Sequence, residues 1–331
     1  MTATLSVRNA LLLFLLFLLV CLGLGYPIVN RYDPGKIPGI SDAAGYCDEV
    51  RDPLNIASYR PFVPALAKPF YWLAQGGRIG SWDPARFGML VSTSILSAAT
   101  AIVIVLIGLR SGFSYLISLL ASMLFLMDFA VPNWNLSAYV DSGESLFMAL
   151  TVWSLLSHRW YLLPVWSFPG ALSKETFAPF AFVFALTWWV ADRPLRLNRL
   201  VWIGAIGALG CAAVLLSFSP AGAMTYARDM AAGYRSVGLF TSLLHNLSAR
   251  EFFYTFIWLL PLSIPRLSSI DRRWLWATAA TLLLALLLGA YNNALGNTTR
   301  AFFNIAGPMF SLSAALFLAE LTSRSAKPVV T

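Results

Sequence analysis

Charge is what this chain has least of. Only 11% of its 331 residues are Asp, Glu, Lys or Arg, against 58% hydrophobic ones, and the mean hydropathy is +0.70. A soluble domain of this length needs more charge than that to cover its surface, so the composition points to a polytopic membrane protein. Cysteine is scarce too: Cys21, Cys47 and Cys211 stand far apart, two of them in apolar runs, which argues against a disulfide framework or a cysteine metal cluster. Also missing are G-x-x-x-x-G-K-[ST], H-E-x-x-H, any C-x-x-C pair and G-x-S-x-G, and with them the usual signatures of nucleotide, zinc and serine-hydrolase chemistry. The net charge of +8 is carried by short loops between apolar runs, as membrane topology requires, so nucleic acid is not an expected partner. There is no soluble domain, low-complexity tract or internal repeat.

What the chain has in abundance is apolar runs. A spanning helix needs ~20 apolar residues, and uncharged runs lie at Asn9–Asn30, Phe87–Leu109, Ser111–Met127, Trp160–Ser173, Thr176–Ala191, Leu200–Ala227, Trp274–Thr299 and Ala301–Ala319. Two shorter runs, Ser145–Ser157 and Phe252–Pro265, begin further upstream and bring the expected count to about ten helices. The first run stands behind Arg8 and is followed by GYPIVN, which has no cleavage pattern, so it reads as a retained helix with its N-terminus inside. With ten spans both termini are cytoplasmic, and Arg110, Arg159, Arg193, Arg196, Arg199, Arg266, Arg272 and Arg273 fall in inner loops. Of the fifteen acidic residues, only Asp192, Asp271 and Glu320 then lie inside; the outer face is acid-rich. The expectation is one all-α transmembrane domain over residues 1–331, with residues 29–86 as a long outer loop. Within that loop, Pro64–Gln75 mixes Phe70, Tyr71 and Trp72 with Lys68, the make-up of an interfacial helix.

The stretch Ser41–Leu73 is charged, aromatic and proline-punctuated in an otherwise apolar protein. Asp42 in SDAAGY fits two roles, a helix N-cap or a surface general base that takes a proton from an attacking hydroxyl. Asp141 in YVDSGESLFMAL opens an apolar run and also reads as a D-x-x-E cap. Lys174 and Glu175 in GALSKETFAPF and Arg300 in TTRAFFNIAGPMF stand at helix ends, where the two cations fit either snorkelling or anion binding.

In this order the D-x-x-G-Y segment, the Y-R-P-F-V-P turn with its aromatic helix, the Asp141 segment, Lys174-Glu175 and Arg300 resemble the GT-C superfamily of integral-membrane glycosyltransferases, in its bacterial PMT-like form. The C-terminal soluble domain usual in that family is absent from this sequence. The resemblance implies inverting transfer of a hexosyl or pentosyl group from a polyprenyl-phosphate donor to a lipid, glycan or protein acceptor on the outer face of a bacterial inner membrane. It implies Asp42 and Asp141 as catalytic residues, and Arg60, Lys174 and Arg300 around the donor phosphate. Tyr46, Tyr59 and Glu175 are then expected near the substrates. Metal dependence stays open: no cofactor is certain, and an Asp42 and Asp141 pair would suit a divalent cation. Two further classes stay open: a transporter or flippase of a lipid-linked or anionic substrate, and a GT-C-like scaffold that binds without turnover.

Overall fold

The computed structural model describes residues 5–31, 41–52, 60–77, 83–217, 239–292 and 297–325. Within them the chain is helical and contains no strand. Five helices are long and apolar enough to cross a membrane: α1 (Val7–Arg31), α4 (Pro84–Arg110), α9 (Arg199–Ser217), α13 (Arg272–Asn292) and α14 (Asn297–Ser325). The other apolar segments are shorter helices: α5 (Tyr115–Met127), α6 (Asp141–Leu156), α7 (Leu163–Ser173) and α8 (Phe177–Ala191). The single run expected at Phe252–Pro265 is divided between α11 (Arg250–Phe256), α12 (Leu259–Ser263) and a tight turn, after α10 (Leu239–Leu247).

Burial separates centre from periphery. In α4 and α14, 72% and 78% of the apolar segment is enclosed, against 28% in α1 and α9. On α1, Leu11, Leu12, Leu15, Leu16 and Leu19 are about half exposed or more, a stripe that suits a lipid solvent. The central α4 tolerates enclosure because its inward positions are small. Ser92, Thr93, Ser97 and Thr100 are fully buried, and the hydroxyls of Ser92, Thr93 and Thr100 donate to carbonyls one turn back, at 2.8–3.0 Å for the nearest partner.

Among the described residues, two helices lie between α1 and α4, within the segment 29–86. In α2 (Ser41–Arg51) the buried residues are Ala43, Tyr46, Cys47 and Val50, spaced as one helical face. In α3 (Phe62–Gly77) Val63, Ala67 and Ala74 are buried while Trp72 and Leu73 are exposed, which suits a helix lying on the bundle with an aromatic edge free. Asp83 accepts from Ala85 N at 2.8 Å at the start of α4 and also pairs with Arg51, which ties α2 to α4. Close approach of α3 to α4 needs Gly88, where a β-carbon would stand 2.7 Å from the Ala67 carbonyl oxygen.

The ion pairs divide into two sets that never mix among the described residues. Arg51, Arg60, Lys174 and Arg300 pair with Asp48, Asp83, Asp141, Glu144 and Glu175. Arg199, Arg266 and Arg273 pair with Asp192, Asp271 and Glu320. The first set gathers where α4, α6 and α8 begin, the second where α8 and α14 finish.

Candidate functional site

The break between α7 and α8 consists of Lys174, Glu175 and Thr176, and all three reach out to other elements. Lys174 closes α7 in an extended conformation, its N–H donating to Gly170 O at 3.0 Å. Its ammonium donates to Asp141 at 2.7 Å and Glu144 at 2.9 Å, and Thr176 donates to the other Glu144 oxygen at 2.7 Å. Glu175 faces the other way and takes both forks of Arg60, each at 2.8 Å. Asp141 and Glu144 are three residues apart on α6, so they share a face. Arg300 and Asn304, four apart on α14, do the same: Arg300 stands 3.6 Å from Asp141, and Asn304 donates to Glu144 at 2.7 Å. Asp141 and Glu144 are thus held between Lys174 on one side and the Arg300 and Asn304 rungs of α14 on the other.

Packing brings these groups together. Where α6 passes the end of α7, a β-carbon on Gly143 would come within 2.7 Å of the Ser173 β-carbon, so a glycine is what lets α6 approach Lys174. Next to these groups in sequence, Phe147 of α6 meets Phe62 of α3 and Phe177 of α8 edge to face at 5.4 and 6.2 Å. Asp141 is 2% exposed, Glu144 0% and Lys174 5%. Burial alone would neutralise Lys174, but Asp141 and Glu144 outweigh it and hold the ammonium above the ordinary lysine range. Burial likewise opposes the charge on Glu175; the Arg60 guanidinium wins and brings the carboxyl down to about 2. Arg60 also donates to the hydroxyl of the buried Tyr46 at 2.7 Å, which links the network to α2.

The six charges, Arg60, Lys174 and Arg300 against Asp141, Glu144 and Glu175, balance. Buried balanced networks are poor sources of stability, because desolvation offsets the attraction, whereas losing one member costs about 3–5 kcal/mol. Buried charge of this kind marks a candidate functional site. Of the three cations Arg300 is the least satisfied. Its longer ion pair leaves Nε buried without a partner, and its guanidinium lies 4.4 Å from the Tyr139 ring and 5.8 Å from Trp134. Both rings line a cavity of about 240 Å³, whose wall also includes Ala43, Cys47, Arg86, Asn133 and Glu251. The cavity therefore lies between α2 and the aromatic seat of Arg300. Near it, Asp128 is wholly buried with one carboxylate oxygen bonded to Ala130 N at 2.9 Å and the other without a partner.

Several sequence expectations are resolved by this geometry. Asp141 is not a cap: α6 starts at Asp141 itself, after Val140, which makes no side-chain cap bond, and both Asp141 oxygens point at cations. Lys174 does not snorkel, since two carboxylates hold its ammonium inside the protein. Asp42 is in the first turn of α2, one turn before Tyr46, so the helix starts before it; its side chain lies outside the described residues, as does all of Tyr59. A divalent ion on Asp141 would have to displace Lys174 or Arg300. Sequence reasoning overlooked Asn304, Thr176, Trp134 and Tyr139 and treated Glu144 as a capping partner. Asn304 carried a signal, as a polar residue one turn beyond Arg300 within an apolar run. No protein-family description, curated protein or solved structure matches this chain.

Proposed function

We propose that the chain is a GT-C-type membrane glycosyltransferase with about ten helices, seated in a bacterial inner membrane with its termini cytoplasmic. It moves a hexosyl or pentosyl group from polyprenyl phosphate to a lipid, glycan or protein acceptor on the outer face. The observation that supports this most is the convergence of Tyr46, Arg60, Asp141, Lys174, Glu175 and Arg300, from separate parts of the chain, on one buried network next to a cavity.

In this reading the acceptor hydroxyl attacks the anomeric carbon as the bond to the phosphate breaks. The electron pair of that bond leaves with the phosphate, and Asp42 takes the hydroxyl proton. Charge growing on the phosphate is met by Arg300, whose unpartnered Nε–H suits a phosphate oxygen. Arg60 and Lys174, engaged by Glu175 and by Asp141 with Glu144, are positioning residues that hold the Arg300 region in place. Asp141 between two cations is a weak base, which leaves proton transfer to Asp42.

Purified protein with a polyprenyl-phosphate sugar and an acceptor is expected to turn over. Asp42→Asn is expected to lose ~10²-fold or more in rate while its thermal unfolding midpoint stays unchanged. A folded Asp42→Asn variant with full activity removes Asp42 from the base role. The mutual saturation of Lys174, Asp141 and Glu144 favours one other reading, a scaffold that binds a lipid-linked sugar without turnover. Saturable donor binding with no product for any acceptor identifies that case.

A further inference from the structure

Where α8 stops and α9 and α13 start, a second concentration of charge lies apart from the glycosyl-transfer network. Asp192, directly after α8, pairs with Arg199 at the start of α9 and, at 2.6 Å, with Arg273 at the start of α13; Asp271 takes Arg273 as well at 2.6 Å. Arg199 lies 4.8 Å from the Trp160 ring and Arg273 lies 5.5 Å from Trp188, so both guanidiniums are fixed on aromatic faces. Arg193, Arg196 and Arg272 are exposed and make no ion pair among the described residues. Five arginines against two aspartates leave the region strongly positive.

The unpaired arginines line two adjoining hollows of about 550 and 640 Å³, which share Asp192 and Arg193. Trp160 lines the smaller hollow, is 5% exposed, and its indole N–H has no acceptor. A buried donor without a partner, beside guanidinium forks, fits an oxygen-rich anion. The N-terminal ends of α9 and α13 add their partial positive charge at the same place. The hollows are rimmed by exposed apolar and aromatic side chains: Val190 at 54%, Trp202 at 38% and Trp276 at 55%. A soluble phosphate has no use for that rim, whereas a lipid would lay its chains along it and seat its headgroup among the arginines.

We propose that these hollows hold the phosphate headgroup of an anionic phospholipid. The assignment is independent of the glycosyltransferase reading. It is tested with full-length protein in nanodiscs of phosphatidylcholine with added phosphatidylglycerol, followed by native mass spectrometry of the lipid that stays bound. The wild type is expected to retain phosphatidylglycerol over phosphatidylcholine. Arg193→Gln, Arg196→Gln and Arg272→Gln are each expected to weaken retention roughly fivefold, and the triple variant roughly a hundredfold. Arg8→Gln, at an exposed arginine outside the hollows, is expected to retain the lipid as the wild type does. Because the three side chains make no ion pair, the triple variant is expected to keep its unfolding midpoint in pure phosphatidylcholine. Undiminished retention in a folded triple variant overturns the site. Displacement of the lipid by inorganic phosphate overturns the lipid as its occupant.

Discussion

Arg60 and Glu175 show what a single pair contributes here. They are 115 residues apart in sequence, meet through two parallel hydrogen bonds and are about one-eighth exposed. The depressed Glu175 carboxyl makes stability depend on pH with a definite sign. Its pKa is lower in the fold, about 2, than in the unfolded chain, about 4.3, so its contribution is complete above the unfolded value. That contribution is lost as pH falls from about 4.3 through 2. The unfolding midpoint in detergent is therefore expected to drop across that window in the wild type. Arg60→Met, which removes the charge that depresses Glu175, is expected to be less stable at pH 7 and to lose much of this acid limb. An unchanged acid limb in Arg60→Met assigns the effect to other carboxylates. The Lys174-Glu175 dipeptide was readable as polar punctuation between apolar runs. That its two members face different partners was not, since this depends on the extended backbone at Lys174.

The elements meet through small residues. Gly143 lets the first turn of α6 lie against Ser173, and this contact brings Asp141 and Glu144 to Lys174. Gly143→Ala is expected to cost about 1–3 kcal/mol of stability through overpacking, and to lower donor binding by separating the rungs. Ser173→Gly, combined with it, removes the opposing β-carbon and is expected to restore most of both. Thermal unfolding of the two single variants and the double variant reads the coupling, and strictly additive losses would show that the contact does not limit the approach. Legibility at this scale was uneven. The starts of α6 and α14 near Asp141 and Arg300 were clear, because polar residues give way there to long apolar runs. The division of Phe252–Pro265 between α11 and α12 was hidden, because apolar composition fixes the solvent around a segment but not where its helix breaks.

At the scale of the molecule, the ion pairs of the described residues gather at two ends. Among the described residues, the ion pairs from Arg51–Asp48 to Arg300–Asp141 each join groups that the charge-in-loops argument assigns to the same face, although that argument uses no contact information. With Cys21, Cys47 and Cys211 replaced by serine, Gln75→Cys on α3 and Ser323→Cys on α14, both at exposed positions, are expected to react with a membrane-impermeant maleimide from opposite sides. Intact spheroplasts should label the first alone, and inverted vesicles the second alone. Labelling of both from one side would undo the two-faced arrangement.

By itself the sequence determined the solvent and the all-helical class: apolar runs suit lipid and an internally bonded backbone, and local composition is enough to read that. It also determined which residues stand at helix ends, since a charge inside a run is too costly to leave unmarked. Only the tertiary structure decided which of those ends meet. The pairing of Glu144 with Asn304 across 160 residues, and the seating of Arg300 on Tyr139 and Trp134, follow from how α6, α14 and the turn at Val131–Asn135 pack. Packing is a property of shapes brought together from distant parts of the chain, and no local pattern encodes it.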